Sequence, residues 1–133
     1  MTRREARELA FVLLFEKTFT DSTIHDILLN AGKARDVETD SFALSLAEGA
    51  NKYMVDIDSI ISKHSHKWNK ERISRVALSI MRMAVYEMLY VKDIPVSVSI
   101  NEAVELAKKY GGDADSSFVN GVLGGVSRQS GEK

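Results

Sequence analysis

The chain has 133 residues, 44% hydrophobic and 28% charged, with no cysteine, one proline and eight glycines. That length supports a single domain, residues 1–133, whose one core needs no disulfide or metal staple. The missing cysteines exclude a disulfide scaffold, thiolate zinc sites, thiol catalysis and iron–sulfur ligation. A formal net charge of −1 argues at first against a polyanion partner.

The charge is unevenly spread. Residues 20–62 carry −5 and residues 63–82 carry +5, while residues 1–19 carry +1 and residues 83–133 carry −2. Such asymmetry either builds a local anion-attracting face or marks a solvated helix surface. The apolar run at residues 9–15 is seven residues long and follows mixed charges, unlike a signal peptide. No stretch approaches the ~18 apolar residues of a membrane span. A soluble, cytoplasmic protein without membrane contact is expected.

Apolar residues recur at three- and four-residue spacing nearly throughout, which is the helical period. Ala6, Leu9, Ala10, Leu13 and Leu14 place a first helix over residues 3–18. Asp21 and Ser22 are suited to cap a short second helix with Ile24, Ile27 and Leu28, stopped by Gly32. A third starts near Thr39 or Asp40, and Asp56 is placed to cap a fourth. The longest stripe begins around Asn69 and carries Ile73, Val76, Ala77, Ile80, Met81, Ala84 and Met88. After Pro95, Ser99 and Glu102 have the spacing of a capping box for another helix, ending at Gly111-Gly112. A last helix runs over residues 115–128. The fold class is all-α, with six or seven helices and short connections.

No phosphate-cradling glycine loop and no H-E-x-x-H motif occurs. His64 and His66 lie two apart and lack an evident third ligand, and the G-x-x-G of Gly121–Gly124 fits helix packing better than the RNA-clamping loop of a KH domain. Neither an enzyme nor a cofactor is expected. Two features remain. Arg3, Arg4 and Arg7 cluster where cations oppose the helix dipole, which suits either a polyanion contact or a frayed terminus. Arg82 sits on a strongly apolar helix and requires a carboxylate or a phosphate. Glu87, five residues on, is out of register for that pairing.

Four segments in order resemble the NusB family of bacterial transcription antitermination factors. They are Arg3-Arg4-x-Ala6-Arg7-x-x-Ala10 leading to Leu14-Phe15, and Ile80-Met81-Arg82-Met83-Ala84-Val85-Tyr86-Glu87-Met88. Pro95 with Val98-x-Ile100-Asn101-Glu102-Ala103-Val104-Glu105-Leu106-Ala107-Lys108 follows, then Phe118-Val119-Asn120-Gly121-Val122-Leu123. Lys67-Trp68 resembles the tryptophan that precedes the central helix in many members. The resemblance implies two small helical bundles packed across each other. It also implies binding to boxA-type single-stranded RNA of ribosomal RNA leaders together with NusE, the tenth small-subunit ribosomal protein. That pair joins an RNA polymerase antitermination complex. By the same resemblance Arg3, Arg4 and Arg7 contact phosphates and Arg82 contributes. Phe15 and Phe118 are placed either to stack on bases or to pack in the core. Val12, Ala77 and Ser117 replace polar or charged residues common in the family, which implies weaker intrinsic RNA affinity and a larger share for NusE. Some members form homodimers, a point the sequence leaves open. The rival function is a protein-interaction module with little RNA affinity.

Overall fold

A computed structural model describes residues 1–30, 40–65 and 73–130. They form six α-helices: α1 (Arg3–Lys17), α2 (Ile24–Asn30), α3 (Ser41–Lys52), α4 (Met54–His64), α5 (Arg75–Tyr90) and α6 (Val96–Ser130). The all-α expectation holds. The seventh helix of the sequence reading is the second half of α6. Gly112, at φ 86° and ψ −174°, is non-helical, so α6 consists of two helical halves that meet at a kink there. Those dihedrals are open to glycine and strained for any residue with a Cβ.

Four of the six starts are set by a side chain that satisfies an orphan N–H group. Thr2 and Glu5 form a reciprocal capping box on α1: the Glu5 N–H donates to Thr2 Oγ1 at 3.0 Å and the Thr2 N–H to Glu5 Oε1 at 2.7 Å. Asp40 caps α3 and Ser74 caps α5, each accepting a backbone N–H at 3.0 Å.

Several expected caps are corrected. On α2 it is Thr23, rather than Asp21 or Ser22, that accepts the Asp26 N–H. Helix α4 begins at Met54, directly behind Tyr53, so Asp56 lies in its first turn. Pro95 opens α6 four residues ahead of the expected box, its carbonyl accepting from Val98 and Ser99. Ser99 is thereby buried inside the helix, and Glu102 is freed for another contact. Gly32, Thr39, His66, Lys67, Trp68 and Asn69 fall outside the described residues.

Helix α5 is the shared strut. It packs most extensively on α6 and also on α1, α3 and α4. Helices α1, α2 and α3 gather on one side of it and α4 and α6 on the other, the two-bundle arrangement the resemblance implies. Its inward positions, among them Ala77, Ile80, Met81, Ala84, Val85 and Met88, are almost fully buried. Burying such side chains stabilises by roughly 1.5–3 kcal/mol for each large one. Close approach of α3 and α5 depends on Gly49, since a Cβ there would land inside the Tyr86 ring. Tyr86 in turn stacks with Tyr90 and Tyr53, the ring centroids 5.1 and 6.3 Å away.

Candidate nucleic-acid interface

The arginine cluster divides into three environments. Arg3 is exposed at the start of α1, its guanidinium 3.8 Å from the centroid of the Phe42 ring. It makes no ion pair among the described residues. The ring face attracts the cation and holds the side chain while its N–H edges stay open to solvent. Thr2, Arg3, Asp40, Ser41 and Phe42 line a shallow recess of about 260 Å³ where the starts of α1 and α3 converge.

Arg4 is exposed but held. Its Nε and Nη2 donate to the two carboxylate oxygens of Glu102 at 3.1 and 2.8 Å. The hydrogen bonds from Arg4, with its charge behind them, keep the Glu102 carboxyl below the usual carboxylate range.

Arg7 is placed apart from the exposed pair. Its side chain is buried, with Nε and Nη2 donating to the Glu87 carboxylate at 2.8 and 2.9 Å. Glu87 also accepts from the Ser99 hydroxyl at 2.6 Å. A guanidinium enclosed this way is part of the core, and an RNA phosphate could reach it only by opening the helix junction. Arg82 meets the first of its two expected partners, a carboxylate. Asp58 on α4 accepts from its Nε and Nη2, both at 2.8 Å, so a carboxylate meets the demand.

The two phenylalanines are partly buried. Phe15 packs between Phe11 and Phe19, at centroid distances of 5.9 and 5.2 Å. Phe118 lies on the second half of α6, packed against the core. The structure therefore brings Arg3, Arg4 and Arg7 to one end of α1, with Phe15, Phe118 and Arg82 elsewhere.

Residues that the sequence reading passed over complete the surface. Lys109 donates to Glu8 at 2.7 Å, and the Tyr110 hydroxyl donates to the same carboxylate. Hydrogen bonds from Lys109 and Tyr110 hold the Glu8 carboxyl below its ordinary range. Phe19 is 63% exposed, a visible anomaly for a phenylalanine. The Arg75 guanidinium lies 4.4 Å from its ring centroid and donates to the Thr18 carbonyl at 2.7 Å. Together they edge an open cleft of about 840 Å³ lined also by Lys17, Met54, Ile73, Leu78 and Arg82. Only the overexposed Phe19 left a trace in the sequence, as an apolar residue just past the end of the α1 stripe. The partners of Arg75, Lys109 and Glu102 are defined by tertiary packing alone.

Among the described residues no group of His, Asp and Glu side chains is placed to hold a metal ion, and no helix is long and apolar enough to cross a membrane. Exposed guanidinium forks, aromatic seats and a cleft of mixed polar and apolar lining define an all-helical recognition protein. The NusB family model matches residues 4–128. A transcription antitermination protein NusB of Bacillus subtilis is 42% identical over 126 residues, 95% of each chain. The solved structure of T. maritima NusB superposes with a TM-score of 0.85 at 34% identity, covering 97% of this chain and 92% of that one. A crystal structure of the antitermination factors NusB and NusE in complex with dsRNA gives a TM-score of 0.85 at 25% identity, covering 96% of each chain. The chain belongs to the NusB family of bacterial transcription antitermination factors. Members of this family are non-catalytic RNA-binding factors.

Proposed function

We propose that residues 1–133 act in the cytoplasm as one NusB-like domain that binds boxA-type RNA of ribosomal RNA leaders together with NusE. The pair then joins the RNA polymerase antitermination complex. The observation that carries this reading is the exposure of Arg3 and Arg4 at the start of α1, in a chain whose family binds RNA. Their open N–H edges fit phosphate oxygens, and guanidinium forks are the side chains best matched to that geometry. NusE is assigned to the cleft beside Phe19. That cleft pairs an exposed aromatic with apolar floor residues Met54 and Leu78 and a cationic rim, the composition of an interface anchor.

A second reading is favoured by a specific observation. Two of the four arginines expected at RNA are paired with carboxylates, Arg7 with the buried Glu87 and Arg82 with the partly buried Asp58. With those two withdrawn, only Arg3 and Arg4 of the four remain open to RNA, and on this reading the partner supplies most of the affinity. Titration of labelled boxA-type RNA, with and without NusE and across a salt series, tests both. Affinity that rises with NusE and falls with salt, and that weakens in the Arg3→Ala, Arg4→Ala double variant, supports the RNA reading. Tight NusE binding without any gain in RNA binding supports the interaction module instead.

A further inference from the structure

The Arg4 fork is the outermost member of a chain of charged contacts running into the core. Arg4 is 70% exposed, its partner Glu102 15%, Arg7 6% and Glu87 1%. Glu102 bridges the two arginines, with Arg7 Nη1 3.7 Å from the Oε1 that also accepts from Arg4 Nε. Glu87 fixes Arg7 from below and is itself fixed by Ser99. Three helices, α1, α5 and α6, each contribute at least one member.

We propose that Glu102 is a positioning residue for RNA: it clamps the Nε–Nη2 edge of Arg4 so that the Nη1–Nη2 edge faces solvent, preset for a phosphate. A guanidinium has two edges able to donate in pairs, and the carboxylate occupies only one. An unclamped arginine loses its rotamer freedom when it binds, and a clamped one has lost it already. Arg7 and Glu87 behind Glu102 give the clamp a rigid base, since both are enclosed by packed side chains. The clamp also explains why a carboxylate sits beside a phosphate contact. Repulsion between Glu102 and the phosphate is offset by two arginines within salt-bridge range of that carboxylate.

This inference rests on the RNA-binding reading, and the sign of one substitution separates it from simple electrostatics. Glu102→Gln removes a negative charge near the phosphate, so charge alone makes RNA bind more tightly. Glutamine keeps one acceptor oxygen and turns the other position into an NH2 donor, so the two parallel charge-assisted bonds of the fork are lost. Loss of the clamp therefore makes RNA bind more weakly, by about three- to tenfold, on the scale where tenfold is 1.4 kcal/mol. The experiment measures the Kd of boxA-type single-stranded RNA in the presence of NusE for wild type, Glu102→Gln, Arg4→Lys and the double variant. Arg4→Lys keeps the charge and abolishes the fork. Weaker binding by Glu102→Gln, with no further loss when it is added to Arg4→Lys, is the expected result. Equal or tighter binding by Glu102→Gln overturns the clamp and leaves the RNA reading intact. The same loss in both backgrounds overturns it too, because Glu102 would then act independently of Arg4. Absence of salt-dependent binding in all four proteins overturns the RNA reading and the clamp together. Thermal melts of each variant assign any loss to folding or to the interface.

Discussion

Arg7→Ala distinguishes a core arginine from an RNA-contacting one. Its side chain is 6% exposed, and both carboxylate oxygens of Glu87 accept from it at 2.8 and 2.9 Å. Alanine leaves a carboxylate buried without its guanidinium, although Ser99 still donates to it. Removing one partner of a buried ion pair costs about 3–5 kcal/mol. For 133 residues, an unfolding entropy of about 2.1 cal/mol/K per residue is about 0.28 kcal/mol/K. The expected fall in Tm is then roughly 11–18 °C, read by circular dichroism and checked against the denaturant midpoint. Arg7→Met combined with Glu87→Leu should recover roughly half of the loss or more, because filling the site with apolar groups removes the orphaned charge.

RNA binding is the second readout of the same variant. At a temperature where it remains folded, Arg7→Ala should keep the wild-type salt slope, with a loss of RNA affinity no larger than that of Glu102→Gln, because Arg7 acts through Glu102. A phosphate contact behaves in the opposite way. Its removal lowers affinity, flattens the slope by roughly 0.7 for a single strand, and leaves stability nearly unaltered. Wild-type stability joined to a flattened slope would falsify the assignment of Arg7 to the core.

Arg82→Ala should follow the same pattern through its Asp58 pair, with a loss of about 3 kcal/mol in denaturant unfolding and unchanged RNA affinity. Gly49→Ala drives a methyl into Tyr86, and overpacking of this kind costs about 1–3 kcal/mol. A denaturant midpoint equal to wild type would show that the α3–α5 contact is looser than described. Acid lowers stability through carboxyls held below their ordinary range: Glu5 by the Thr2 N–H, Glu8 chiefly by Lys109, and Glu102 chiefly by Arg4. A depressed native pKa stabilises the fold above the unfolded value, about 4.3 for glutamate, and that share is lost as pH falls through the native value. Glu8→Gln should therefore show a shallower acid limb in urea midpoints measured between pH 6 and about pH 2.5, and a superimposable limb counts against the Glu8–Lys109 contact.

Helices were legible because one periodicity, repeated over many residues, encodes one buried face. Leu13, Leu14, Ile80, Met81 and Leu123 all fall inside as their spacing requires. Starts were less legible, since Thr23, Ser22 and Asp21 are chemically interchangeable caps until the chain direction is fixed. Ser99 and Glu102 had the spacing of a cap and became something else, because Pro95 starts the helix first. The site was hardest to see. Arg7 and Glu87 are 80 positions apart, and Arg82 and Asp58 are 24 apart. A guanidinium on an apolar helix announces that it needs an anion, but the local sequence does not say whether a carboxylate or a phosphate supplies it.

The near-zero net charge bears on how RNA is held. Five cations of the described surface and core are individually matched, Arg4 with Glu102, Arg7 with Glu87, Arg82 with Asp58, Lys108 with Glu105 and Lys109 with Glu8. Arg3 and Arg75 have aromatic seats in place of carboxylates, one near each end of α1, a helix of 15 residues or about 22 Å. With phosphate contacts confined to Arg3 and Arg4, the isolated chain should bind single-stranded RNA with a salt slope near −1.4, about 0.7 for each contact. Full engagement of the five cations other than the paired Arg82 in residues 63–82 would add roughly −3.5 to that slope. A shallow slope means recognition rests on a few positioned forks and on the partner, so the chain does not coat RNA indiscriminately. A slope of −4 or steeper in a titration of the isolated protein would refute that account and return the basic segment to the centre of the interface.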